Sequence, residues 1–292
     1  MNRFDRPISW ETITDSRPPE QGGSGPTMAD WGAGWTASPQ ESSIGGEEAS
    51  LGGPCGAASG GGLTACSYLV PLHYESNYRY PLIVWLHHAG HNERQVEMVM
   101  PHISLRNYVA VGVRASRASD NAGHGFEWGW SPAGVDAAHE TVARAVEEAS
   151  ARYSIDPGRV VLAGYRDGGT MAMRLALRDP ERFAGIVSLG GPLPACGGQL
   201  GNFQQLRQRR LPMLWQWACS GPHWDPERFA ADLRTAMSLR ARVEARQYAD
   251  DDEMNTVTLA DINAWVMREI VGGGRSSAEE TWASQEVRFS SN

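Results

Sequence analysis

Val160-Val161-Leu162-Ala163-Gly164-Tyr165-Arg166-Asp167-Gly168-Gly169-Thr170 runs from an apolar, strand-like segment into a glycine-bracketed turn. Met171 to Arg178 follow at once with helical character. This is the grammar of a nucleophile elbow, in which a strained strand-to-helix turn lifts one side chain above a parallel sheet. Small residues two before and two after the apex are required because the chain reverses sharply, and Gly164 and Gly168 supply them. A nucleophile belongs at the apex. Arg166 stands there instead.

The chain has 292 residues, room for one large domain or two small ones. Lys and Arg number 26 against 34 Asp and Glu, a net charge of −8 that argues against nucleic acid or an anionic membrane as the main partner. No apolar run approaches the length of a membrane span. The start, Met1-Asn2-Arg3-Phe4-Asp5, lacks the apolar core of a secretory signal. Cys55, Cys66, Cys196 and Cys219 have neither metal-site spacing nor the density of a disulfide framework, so reduced thiols and a cytoplasmic setting are expected.

Residues 1–62 are poor in aliphatics and rich in Gly, Ser and Pro, and read as a flexible arm carrying Trp10, Trp31 and Trp35. Residues 63–271 read as one domain and 272–292 as a polar tail. Within the domain, Tyr68–Tyr74 suits an edge strand, since Pro71 is tolerated at an edge. Leu82–His87, Tyr108–Val113, Arg159–Ala163, Phe183–Leu189, Leu211–Trp217 and Val243–Tyr248 are further strands. Helices are expected over Asn92–Met100, Val135–Tyr153, Met171–Arg178, Pro226–Leu239 and Leu259–Ile270. Between the strands at 189 and 211 lies a Gly/Pro-rich loop. Alternating strands and helices predict an α/β, doubly wound, mostly parallel sheet without a separate cap domain. Sites in such sheets sit at the carboxyl ends of the strands.

Taken together, Pro81 to Gly90, the elbow, Phe183-Ala184-Gly185-Ile186-Val187-Ser188-Leu189-Gly190-Gly191 and the last strand and helix resemble the phospholipase/carboxylesterase (acyl-protein thioesterase-like) family of α/β-hydrolases. The likeness spans roughly residues 68–271. It implies acyl transfer by a Ser nucleophile, a His base, an Asp that orients the His, and backbone N–H donors for the oxyanion. Matched residue by residue, the nucleophile position is Arg166, a permanent cation with no lone pair for attack. The acid position is Gly221, in Ala218-Cys219-Ser220-Gly221-Pro222; Asp225 is read as a helix cap before Pro226. The base position is Asp252, in Tyr248-Ala249-Asp250-Asp251-Asp252-Glu253, with Asp251 selected if the match slips by one. The oxyanion loop, His87-His88-Ala89-Gly90, carries a Cβ at His88 where the family keeps glycine; if the backbone there needs a positive φ, His88 is strained or the loop moves. Ala89 and Asp167 N–H groups would be the oxyanion donors.

Departures at all four parts imply a non-catalytic relative, acting as a binding or structural protein. An ion pair of Arg166 with an acid of the Asp250–Asp252 cluster is expected across the old site. A cationic pocket of Arg166, His88 and His91 for a small carboxylate or phosphate is the alternative ligand reading, and an unidentified protein partner the other. The rival function is an active ester hydrolase with a displaced catalytic set, such as Asp167, or Cys219 and Ser220 with His223. No cofactor is implied. A metal on His87, His88, His91 and His124 is disfavoured against packed or solvated histidines. Trp128, Trp130, Trp215, Trp217 and Trp224 are expected to fill the space of a substrate channel rather than form an exposed patch. The candidate pocket is lined by His91, Trp128, Trp130, Asp251 and His223.

Overall fold

A computed structural model describes residues 65–120, 123–194, 203–272 and 288–291. The expected arm (1–62), Cys55, Cys196 and most of the expected tail lie outside them. Strands β1 (Cys66–Leu69), β2 (Tyr80–Leu86) and β3 (Val109–Val113) come first, and a small hairpin, β4 (Arg117–Ala118) and β5 (Phe126–Glu127), interrupts the following loop. Then come β6 (Ile155–Tyr165), β7 (Gly185–Leu189), β8 (Pro212–Ala218), β9 (Arg242–Tyr248) and β10 (Arg288–Ser291). The main sheet has the order β1-β3-β2-β6-β7-β8-β9-β10. All its neighbours pair in parallel except β1 with β3. The doubly wound, mostly parallel sheet expected from the sequence is therefore present, with β1 at one edge.

Every residue of β2 is buried, which is why its sequence is a continuous apolar run. Successive side chains leave opposite faces of the sheet. Leu82, Val84 and Leu86 join a core with Val135, Ala138 and Val142 of α2 (Pro132–Arg152) and Met171 and Leu175 of α3 (Asp167–Arg178). Ile83 and Trp85 join a second core with Val96 and Val99 of α1 (Gln95–Ile103) and Leu259, Ile262 and Trp265 of α6 (Thr256–Val266). A wider π turn, Met267–Val271, extends α6.

Helix starts follow capping chemistry. Ser131 accepts from Gly134 N–H ahead of Pro132, and Asn255 accepts from Thr258 N–H at the start of α6. Asp225, read as a cap, accepts from the N–H groups of Glu227 and Arg228 at the start of α5 (Pro226–Ser238). Several elements differ from the sequence reading. The edge strand expected over Tyr68–Tyr74 ends at Leu69, so Pro71 lies beyond it, and the β4–β5 hairpin stands in a segment read as loop. A short helix, α4 (Phe203–Arg209), occupies part of the supposed loop before β8, and β10 pairs along β9 within the segment read as a polar tail.

Candidate functional site at the carboxyl rim of the sheet

At the end of β6, Arg166 adopts φ 47 and ψ −111, and Asp167 opens α3. A non-glycine residue in this conformation costs about 1–2 kcal/mol. Two backbone bonds hold the turn: Arg166 N–H donates to Leu189 O at 2.7 Å, and Thr170 N–H donates to Arg166 O at 2.9 Å. Gly168 is required by close approach, since a Cβ there would lie 2.0 Å from Leu86 O. The glycine spacing in the sequence thus reports a real elbow.

The guanidinium of Arg166 lies between two acids. Its Nη2 is 3.7 Å from Asp252 Oδ2 and its Nε is 3.8 Å from Glu253 Oε2. Both distances suit an ion pair but exceed a hydrogen bond. Arg166 also stacks over the Tyr165 ring, with Cζ 4.8 Å from its centroid. Asp252 is anchored independently of the cation: its Oδ1 accepts from Tyr165 O–H at 2.7 Å and from Met254 N–H at 2.8 Å. Burial, and then the Asp252 bond, pushes the Tyr165 phenol well above its ordinary value.

Glu253 is the residue that sequence matching passed over. Its side chain is 4% exposed, against 18% for Asp252. It lies against Gly190, where a Cβ would come within 2.6 Å of its carboxyl carbon. Its Oε1 accepts from Ala218 N–H at 3.3 Å. Burial raises its pKa despite Arg166. The available signal was its place in the acidic run, directly after Asp252; what buries it comes from the ends of β7 and β8.

The other matched positions are brought to the same rim. Gly221 packs on the loop after β9, where a Cβ would lie 2.4 Å from Asp251 O. Ser220 N–H donates to Asp250 O at 2.9 Å and Cys219 N–H to Tyr248 O at 2.8 Å, so the two loops are zipped together. The side chains of Asp251 and His223 are exposed. Asp250 bonds Asp251 N–H and Asn255 Nδ2–H, and burial raises its pKa. Burial pushes the Cys219 thiol up to about 11, the wrong direction for a thiolate nucleophile.

In the segment matched to the oxyanion loop the positive φ falls on Gly90 (85°) and not on His88. The condition under which His88 would be strained is therefore not met. Gly90 N–H donates to Phe126 O and Phe126 N–H to His91 O, strapping the loop to β5. His87 is fully buried: Nδ1–H donates to His88 O at 2.8 Å and Nε2 accepts from Ala115 N–H at 3.1 Å, which fixes a neutral tautomer. Burial pushes it down to about 4. Trp85 Nε1–H donates to Gln95 Oε1, and Gln95 Nε2–H faces His88 Nδ1 at 3.1 Å, leaving the His88 proton on Nε2. Burial, then His91 and Arg166, pushes His88 down to about 3. Burial also lowers His91, whose ring lies 4.2 Å from that of His88. The nitrogens of His87 and the Nδ1 of His88 thus meet backbone or amide groups.

Trp128 is buried and donates to His87 O at 2.7 Å, whereas Trp130 is exposed. Trp215 and Trp217 are buried and pack with Trp224 around Phe229. His124 is exposed. Among the described residues no group of three or more His, Cys, Asp or Glu is placed to hold a metal ion, and no helix is long and apolar enough to cross a membrane.

Residues 120–215 match the family model described as Phospholipase/Carboxylesterase. NocK of Nocardia uniformis subsp. tsuyamanensis, which carries an esterase name, is 32% identical over 121 residues, 39% of this chain and 34% of that protein. The chain therefore spans about a third of that relative's length. A carboxylesterase from Mesorhizobium loti superposes with a TM-score of 0.57 at 16% identity, covering 74% of this chain and 99% of that one. The Bacillus cereus carboxylesterase gives 0.56 at 13% identity, over 71% and 95%. At such identities the structural likeness is one of fold, and the fold is that of the α/β-hydrolases.

Proposed function

We propose that this chain, an α/β-hydrolase-fold relative of the phospholipase/carboxylesterase family, is catalytically silent and serves as a binding or structural protein. The observation that carries the reading is Arg166 at the apex of an intact elbow, with its guanidinium facing Asp252 and Glu253. Acyl transfer needs a lone pair on the apex atom and a base to take its proton. A guanidinium offers donors only. Asp252, at the base position, already accepts two hydrogen bonds through Oδ1 and turns Oδ2 to the cation.

The surroundings support the same reading. Gly221 provides no carboxylate, and the contact with Asp251 O leaves no room for one without moving backbone. His87 and His88 are held neutral by burial, with their Nδ1 and the His87 Nε2 committed to neighbouring groups. The elbow and the oxyanion loop persist as scaffold, whereas the groups that move protons have been replaced.

Hydrolysis of a short p-nitrophenyl ester series tests this. The expected rate is that of the same buffer without protein. Saturable turnover that survives Arg166→Gln would favour an ester hydrolase with a displaced catalytic set.

A further inference from the structure

Arg166 carries five N–H donors. Among the described residues no side-chain hydrogen bond is made by them, and Nε is shielded from solvent with no hydrogen-bond partner. The two facing carboxylate oxygens stay at 3.7 and 3.8 Å. They cannot close in freely. Asp252 is tied by Tyr165 and Met254, and Glu253 by Ala218 and by its seat against Gly190. The guanidinium is therefore mostly buried, flanked by charge and under-supplied with acceptors, while 30% of its side chain remains open to solvent.

We infer that Arg166 is a receptor for a small monocarboxylate, which supplies the acceptors that Asp252 and Glu253 cannot bring within bonding distance. The inference rests on the silent-site reading, because it treats Arg166 as a recognition group. A planar carboxylate matches the guanidinium edge with two parallel hydrogen bonds. His88, neutral with its proton on Nε2, stands beside the cation and adds no competing charge. Asp252 and Glu253 set the selectivity. Each repels an incoming anion, and two carboxylates against one guanidinium leave the ionised site net negative, so the phosphate dianion is disfavoured more than a monoanion. The site favours a single negative charge spread over two oxygens.

Sodium formate is the probe, with sodium chloride as the ionic-strength control and inorganic phosphate as the competing anion. Binding is read from the Arg166 Nε–H resonance by NMR and from titration calorimetry on the full chain. Formate is expected to bind with Kd on the order of millimolar, the range of a single bidentate contact, and more tightly than phosphate. Glu253→Gln keeps an acceptor for Ala218 N–H and removes one repelling charge; it should tighten formate on the order of tenfold. Arg166→Gln should abolish binding. Arg166→Lys, which keeps the charge but not the fork, should weaken it on the order of tenfold. An Nε–H resonance indifferent to formate, equal binding by Arg166→Gln, or phosphate bound as tightly as formate would each overturn the inference. Those results leave the silent-site reading standing; saturable ester turnover would remove that reading whatever formate does.

Discussion

At the elbow apex a long cation occupies a backbone conformation built for a small side chain. Its neighbours explain why it stays: Tyr165 stacks beneath it and two carboxylates face it within 4 Å. Desolvation offsets much of such an attraction, so the pair need not stabilise the fold outright. A double-mutant cycle with Arg166→Gln and Asp252→Asn should still give a coupling of about 1 kcal/mol in urea unfolding, as partly buried pairs do. A coupling near zero would remove the pair as a structural device. Glu253 behaves oppositely to most acids that face a cation. Its folded pKa is raised, so its contribution is present below the ordinary glutamate value and is lost as pH rises through the folded value. Glu253→Gln should therefore gain stability relative to the parent as pH rises from 4 towards 8, read from urea midpoints; a constant difference across that window would mean that burial does not govern this carboxyl.

Between elements, the decisive contact is the one between the loops after β8 and β9. Gly221 meets Asp251 backbone, so Gly221→Asp should cost about 1–3 kcal/mol through overpacking. Combined with Arg166→Ser and Asp252→His, it should yield no measurable ester hydrolysis, because the loop that would carry the histidine is displaced. Turnover in that triple variant would show that the loops adapt more readily than their packing implies. Which elements the sequence disclosed follows from the same physics. The elbow was legible because its glycines answer a backbone demand, and β2 because burial on both faces leaves an unbroken apolar run. Helix α4 was not: it is seven residues long, and Leu206 is its sole apolar residue after Phe203. Strand β10, Arg-Phe-Ser-Ser, is too short to show a period. Glu253 was missed because Gly190 and Ala218, which meet its carboxyl, lie at the ends of other strands, far away along the chain. Gln95 was missed although Trp85 and His88 are near in sequence, because only the fold turns α1 towards them.

Over the whole molecule, two histidines at the rim of the sheet, His87 and His88, are kept neutral by burial. His87 and His88 are pushed down to about 4 and about 3. The unfolded chain takes up protons first as pH falls below about 6.5, so stability is full above that value and is lost as pH falls towards the folded values. Each histidine should contribute a slope of up to about 1.4 kcal/mol per pH unit in that window. His88→Gln should flatten the decline measured by urea unfolding between pH 6.5 and 4; an unchanged slope would contradict the neutral assignment. The elbow glycines, the strapped loop after β2 and both cores are in place, and the proposed silent function rests on what stands among them at the rim. The central claim is tested most directly by exposing the full chain to a fluorophosphonate and weighing the intact protein. The expected result is an unchanged mass, and a covalent adduct mapped to a serine would contradict it.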